Sequence, residues 1–239
     1  MIFFHIFVPT TSHNAMKYLS FFILLFIGEL SVSAQHMFSR QFPFFNQLSS
    51  NEIFSIHQDR EGYFWIGTTN GLARYDGYQL NTFRTDYKNQ NLLTDNGITA
   101  INDNDLYVWI GTWKGLNLYN KQTCRITPFS DARLLDKVVD AITVDKDGNV
   151  WVSAGGMIYR CDSTAHIIKE YEVGNIQEGY AISNIYVDQQ KQLWAVGSRG
   201  IFRYEPETDS FFRYPPLGNG HTAYIMHQDS SGNFWVGAW

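Results

Sequence analysis

Five tryptophans recur along the chain at nearly constant intervals. Trp65, Trp109, Trp151, Trp194 and Trp235 stand 44, 42, 43 and 41 residues apart. A period of this length marks a stack of small supersecondary units, each unable to bury its apolar face alone. The columns around the indoles agree. An aspartate lies six residues before each one: Asp59, Asp103, Asp145, Asp188 and Asp229. Gly62, Gly148 and Gly232 stand three before, and Tyr75, Tyr119 and Tyr204 stand ten after, with Cys161 in the third copy.

Each column has a physical reading. Short apolar stretches such as Ile53 to Ile56 and Ile182 to Val187 are strands. Asp-x-x-Gly then turns the chain, the carboxylate accepting backbone N–H bonds and the glycine supplying positive φ. Tyr63 to Thr68 is apolar on successive residues, so both faces of this second strand are buried. Asn70-Gly71 signals a hairpin into a third strand, Leu72 to Asp76, and Gln79 to Arg84 reads as a fourth. Four short strands per repeat describe a β-propeller blade. The expected fold is all-β, with four full blades of four antiparallel strands and a partial fifth. The repeats fall near 53–84, 98–130, 139–172, 182–214 and 223–239. The tryptophans fill the gaps between blades, and Gly67, Gly111 and Gly237 allow close approach of backbones near the axis.

Composition narrows the function. Charged residues make up only 17% of the chain, the formal net charge is −5, and no block of Lys/Arg occurs. Binding driven by nucleic-acid phosphates or an anionic membrane surface is thereby disfavoured. Residues 1–34 read as a secretory signal, with the start at Met16. Lys17 precedes the apolar run Leu19 to Gly28, and Ser31-Val32-Ser33-Ala34 offers small residues for cleavage. Residues 35–239 are then the mature propeller, exported to the periplasm.

The copy Asp59 to Asp76 resembles the two-component regulator propeller repeat, D-x-x-G-x-h-W-I-G-T-x-x-G-L-x-R-Y-D. The resemblance extends over about Ile53 to Trp239, with departures at Ser153-Ala154, Cys161 and Ala195-Val196-Gly197. It implies seven-bladed propellers, often two in tandem, that form the periplasmic sensor region of hybrid histidine kinases in Bacteroides-type bacteria. Many of these respond to oligosaccharides. On this reading the chain is the N-terminal part of a larger sensor. Its partners are the remaining blades and kinase segments, and no enzyme activity is expected of the chain itself.

Candidate ligand-binding residues are few. Trp113 and Trp239 each follow a repeat tryptophan by four residues, in the turn between the second and third strands. That turn shares a face with the loops between blades, and an exposed indole there stacks on a sugar ring; the alternative is an indole packed on its own hairpin or the next blade. Tyr180, before the fourth repeat, is a weaker candidate on the same face. No cofactor or metal is expected. His57 and His227 share a repeat position without ligand spacing. Asp145-Lys146-Asp147-Gly148 lacks the glutamate an EF-hand loop needs at its twelfth position. No nucleophile motif is present. Cys124 and Cys161 either pair in an oxidising compartment or stand as free thiols. The first functional reading is a periplasmic module sensing a glycan-derived ligand; the alternative is a structural or protein-interaction propeller with no small-molecule ligand.

Overall fold

The computed structural model describes residues 42, 44–85, 92–173, 182–198, 200–214 and 222–238. The secretory signal expected at 1–34 lies outside these residues, as do Tyr180 and Trp239. The described chain is a succession of antiparallel sheets in sequence order. The first blade comprises β1 (Ile53–Gln58), β2 (Phe64–Thr68), β3 (Gly71–Tyr75) and β4 (Leu80–Phe83). The second comprises β5 (Ile98–Asp103), β6 (Tyr107–Thr112), β7 (Gly115–Asn120) and β8 (Arg125–Pro128). The third comprises β9 (Val139–Val144), β10 (Val150–Ala154), β11 (Met157–Cys161) and β12 (Ile167–Glu172). The fourth comprises β13 (Ile182–Val187), β14 (Leu193–Gly197), β15 (Gly200–Glu205) and β16 (Ser210–Tyr214). Two strands, β17 (Ala223–Gln228) and β18 (Phe234–Ala238), form the described part of a fifth. The expected all-β propeller architecture, four blades plus a partial fifth, is what the chain adopts.

The first strand of each blade is the inner one, and side chains stitch neighbouring inner strands together. Thr99 Oγ1 donates to the Val139 carbonyl at 2.5 Å, Asn102 Nδ2 to that of Ile142 at 3.1 Å, and Ser183 Oγ to that of Ala223 at 2.9 Å. Glycine in the second strand makes this spacing possible. A methyl group added at Gly67 would lie 2.7 Å from Ile98 Cγ2, and one at Gly111 2.6 Å from Val139 Cγ1. The close approach is therefore to a side chain of the next blade, not to its backbone.

The indoles occupy the seams. Trp65, Trp109, Trp151 and Trp194 are buried, whereas Trp235 is 65% exposed. The expectation that all five lie between blades fails at Trp235, because no blade follows it among the described residues. In the first seam the Trp65 ring meets Tyr119 of the second blade edge-on, at 4.8 Å between centroids. In the third seam Trp151 meets Tyr204 of the fourth blade in the same way, at 4.9 Å.

The aspartates do more than turn the chain. Asp59 Oδ1 accepts from the backbone of Glu61 and Tyr63, while its Oδ2 accepts the Trp65 indole N–H at 2.6 Å. Asp145, Asp188 and Asp229 hold Trp151, Trp194 and Trp235 likewise, at 2.7, 2.9 and 2.9 Å. Asp103 differs. Strand register pairs Asn102 with Trp109, as His57 pairs with Trp65, so Asp103 is the counterpart of Gln58 and lies in the strand. The turn is one residue shorter here. Asn104 takes it over, its Oδ1 accepting from Leu106 and Tyr107.

Candidate functional site

The inner strands share a feature that the indole columns do not reveal. Each contains one extra residue opposite its neighbour, a β-bulge, at the same level: Phe54, Thr99, Asp140, Ser183 and Tyr224. They lie eleven residues before the indole in four blades, and ten in the second with its shorter turn. A bulge re-aims one side chain and twists the strand locally, a device frequent beside binding sites. Here it sets five side chains in an arc at the start of the inner strands. The ends of the arc are aromatic and exposed, Phe54 and Tyr224; the middle is polar.

Trp113 joins this arc. Its backbone N–H donates to the Gly97 carbonyl at 3.1 Å, at the entry to β5. Its ring lies so close over Gly97 that an added methyl there would fall 2.3 Å from Cε3. The ring also meets Phe54 of the first blade edge-on at 6.1 Å, yet stays 43% exposed. The structure thus combines the two alternatives posed for this indole: it packs across a seam and keeps a free surface. Trp113 and Phe54 form an exposed edge-to-face aromatic pair. The other two named candidates, Trp239 and Tyr180, lie outside the described residues.

Asp140 sits in the polar part of the arc. Its neighbours Thr99 and Ser183 spend their hydroxyls on backbone carbonyls, and the carboxyl of Asp140 has no hydrogen bond or ion pair among the described residues. Burial without a partner disfavours the charged form and pushes its pKa up from 3.8 to about 6. A folded-state pKa above the unfolded one means that the native protein binds the extra proton. Stability therefore falls as pH rises from about 4 to about 6. Asp140→Asn is expected to flatten this part of the pH–stability curve and raise the melting temperature at pH 7, as thermal melts across pH would show. An unchanged slope would contradict the unpaired setting of this carboxyl.

The opposite end of the inner strands carries a different cluster. Asp103 is buried at the first seam, where its Oδ1 meets His57 Nε2 at 2.7 Å. Its Oδ2 accepts from Lys121 Nζ at 2.7 Å and from the Arg60 amide at 3.2 Å. Burial raises the Asp103 pKa, but the bonds from His57, Lys121 and the Arg60 amide outweigh it and bring the value down to about 2. Both oxygens of the Asp103 carboxylate are engaged within the cluster, as expected of a structural clamp. Cys124 and Cys161 are both free thiols, and burial pushes Cys161 up to about 12, which leaves it inert. No group of three or more metal-ligating side chains occurs among the described residues.

Residues 47–70 match the two component regulator propeller model. The chain's fold is similar to the extracellular domain of BT3049 from B. thetaiotaomicron, described as a hybrid two component system: TM-score 0.67, 21% identity, covering 83% of this chain and 29% of that one. It is also similar to the extracellular domain of BT4673 from the same organism, described as a one component system: TM-score 0.63, 21% identity, 78% and 26% covered. Virginiamycin B lyase from Staphylococcus aureus shares the fold at TM-score 0.60 and 18% identity, with 77% and 62% covered. None of the curated proteins matches by sequence. The chain spans less than a third of the two ectodomains. A propeller that serves sensors and a lyase alike does not assign chemistry by itself. No helix among the described residues is long and apolar enough to cross a membrane.

Proposed function

We propose that this chain is part of a periplasmic sensor propeller of a two-component system and that its ligand is an oligosaccharide bound on the face bearing the bulge arc. The observation that supports this reading is the half-exposed Trp113 ring, held against Phe54 at 6.1 Å at the end of the inner strands where the bulges place Thr99, Asp140 and Ser183. A flat indole stacks on a sugar ring, and the unpaired carboxyl of Asp140 on the same face accepts hydrogen bonds from sugar hydroxyls. The loops confer discrimination while the blades act as rigid support. The secretory pattern of residues 1–34 supports export. In the proposed sensor, the exposed face of the fifth blade, with Ile225 and Trp235, takes a further blade of the same kind, and kinase segments read out the bound state.

Thermal melting of the full chain with a panel of oligosaccharides tests the ligand. A cognate sugar at a hundredfold over its dissociation constant stabilises by about 2.7 kcal/mol, equivalent to a rise of roughly 5–10 °C for a chain this size. Trp113→Ala is expected to abolish that rise. No rise with any sugar contradicts the proposed ligand and favours a propeller that docks protein partners only; a rise that survives Trp113→Ala contradicts the proposed site.

A further inference from the structure

Of the three polar residues in the bulge arc, two hold the next blade. Thr99 Oγ1 donates to the Val139 carbonyl at 2.5 Å, and Ser183 Oγ to the Ala223 carbonyl at 2.9 Å. Val139, Ile182 and Ala223 each open the inner strand of their blade. The third polar residue is Asp140, and an ionised carboxyl cannot donate to the Ile182 carbonyl. That carbonyl accepts instead from Ser153 Oγ, at 2.9 Å. Ser153 stands two residues after Trp151, where the first and second blades have Gly67 and Gly111. The third seam thus keeps its stitch through a different donor, and Asp140 takes no part in it.

A carboxyl released from this duty has no other within the protein. Asp140 is half-buried and makes no hydrogen bond or ion pair among the described residues. The side-chain polar atoms sealed from water without a partner belong to Arg74, Trp109, Arg160 and Asn184, so the Asp140 oxygens keep access to solvent. The described cations on the loops and turns at this end of the second and third blades are already engaged. Lys137 Nζ donates to the Tyr159 hydroxyl at 2.8 Å, Arg133 pairs with Asp131 at 2.7 Å, and Lys114 with Asp95 at 3.6 Å. The indole is close along the scaffold. Trp113 covers Gly97. Thr99 lies two residues further, about 7 Å along the strand, and is bonded to Val139, the residue before Asp140. A partly desolvated, unpaired carboxylate is costly to the free protein, and a cation brought by a ligand relieves that cost.

Building on the sugar reading above, we propose that the oligosaccharide bound on this face contains an amino sugar, whose protonated amine pairs with the Asp140 carboxylate while another ring of the same saccharide stacks on Trp113. Hydrogen bonds from an ammonium to a carboxylate are roughly twice as strong as those between neutral groups. An N-acetylated sugar lacks the charge and adds bulk beside the carboxyl. The Asp140 carboxylate therefore selects the free amine.

Isothermal titration of the full chain at about pH 6.5, above the Asp140 pKa of about 6, tests the pairing. Trisaccharides of glucosamine and of galactosamine are each compared with their N-acetylated counterparts. At least one amine form should bind about tenfold more tightly than its acetylated partner. Asp140→Asn keeps the shape of the side chain without its charge and should erase that preference. Trp113→Ala should weaken both forms. Amine forms that bind no better than acetylated ones, or a preference that survives Asp140→Asn, overturn the amino-sugar ligand. The same holds if neither amine form binds while a neutral oligosaccharide raises the melting temperature in a Trp113-dependent way; the sugar reading then stands without the amine. Failure of every neutral and amino sugar to bind sinks both.

Discussion

Trp151→Ala is expected to lower stability by about 3–5 kcal/mol, the range for removing a buried aromatic from a core. The ring is almost fully buried and touches Tyr171, Tyr204 and Phe211 at centroid distances of 5.4, 4.9 and 6.0 Å. The residual cavity lies between two rigid sheets that have little freedom to collapse into it. Asp145 Oδ2 also loses the indole donor it accepts from at 2.7 Å. For a chain of this length the loss corresponds to a fall of roughly 6–20 °C in melting temperature. Trp235→Ala is the internal control: the same repeat position, an exposed ring, and an expected shift of about 2 °C or less. Equal losses from the two variants would mean that the seams do not carry the stability assigned to them.

Asp103→Leu is expected to be comparably severe, by about 3–5 kcal/mol, because it strands buried partners without a counter-charge. Lys121 is only 6% exposed at its side chain and Asp103 only 4%. Removing the carboxylate leaves the buried Lys121 ammonium without its counter-charge and takes the acceptor from His57 and the Arg60 amide. The double variant Asp103→Leu with Lys121→Met should recover much of the loss, since exchanging a whole buried pair for apolar groups is often near neutral. Acid provides a second test. The folded pKa of about 2 lies below the ordinary 3.8, so the contribution is complete above about pH 4 and is lost as pH falls through about 2. Chemical denaturation of the single and double variants, followed across pH, separates the pair from its surroundings. A single variant as stable as the parent would contradict the clamp.

The blades were legible because their constraints are local in sequence. An aspartate that turns the chain, a glycine at positive φ and an apolar strand of fixed length each leave a residue type at a fixed offset, and Gly62, Gly148 and Gly232 all hold φ near +90°. What the columns concealed arises from register. Asp103 stands six residues before Trp109 as its counterparts do, but a turn shortened by one residue moves it into the strand and transfers the turn to Asn104. Spacing alone cannot separate those two arrangements. The bulge arc escaped for the same reason. Phe, Thr, Asp, Ser and Tyr share no chemistry, so only the pairing of β1 with β2 and its equivalents reveals that Phe54, Thr99, Asp140, Ser183 and Tyr224 hold one structural position. For Trp113, sequence placed the indole on a turn, but the contact with Phe54 crosses between blades and is invisible along the chain.

Solvent exchange of the individual indole N–H groups, followed by nuclear magnetic resonance, tests the architecture most directly. The account predicts slow exchange at Trp65, Trp109, Trp151 and Trp194, each enclosed in a seam, and fast exchange at Trp113 and Trp235. Trp235 is the telling case, since its N–H is bonded to Asp229 at 2.9 Å much as those of Trp65, Trp151 and Trp194 are to their aspartates, while no blade covers it among the described residues. Fast exchange at all of the repeat indoles, or protection at Trp235 equal to that at Trp151, would contradict a stack of radial sheets sealed by tryptophan.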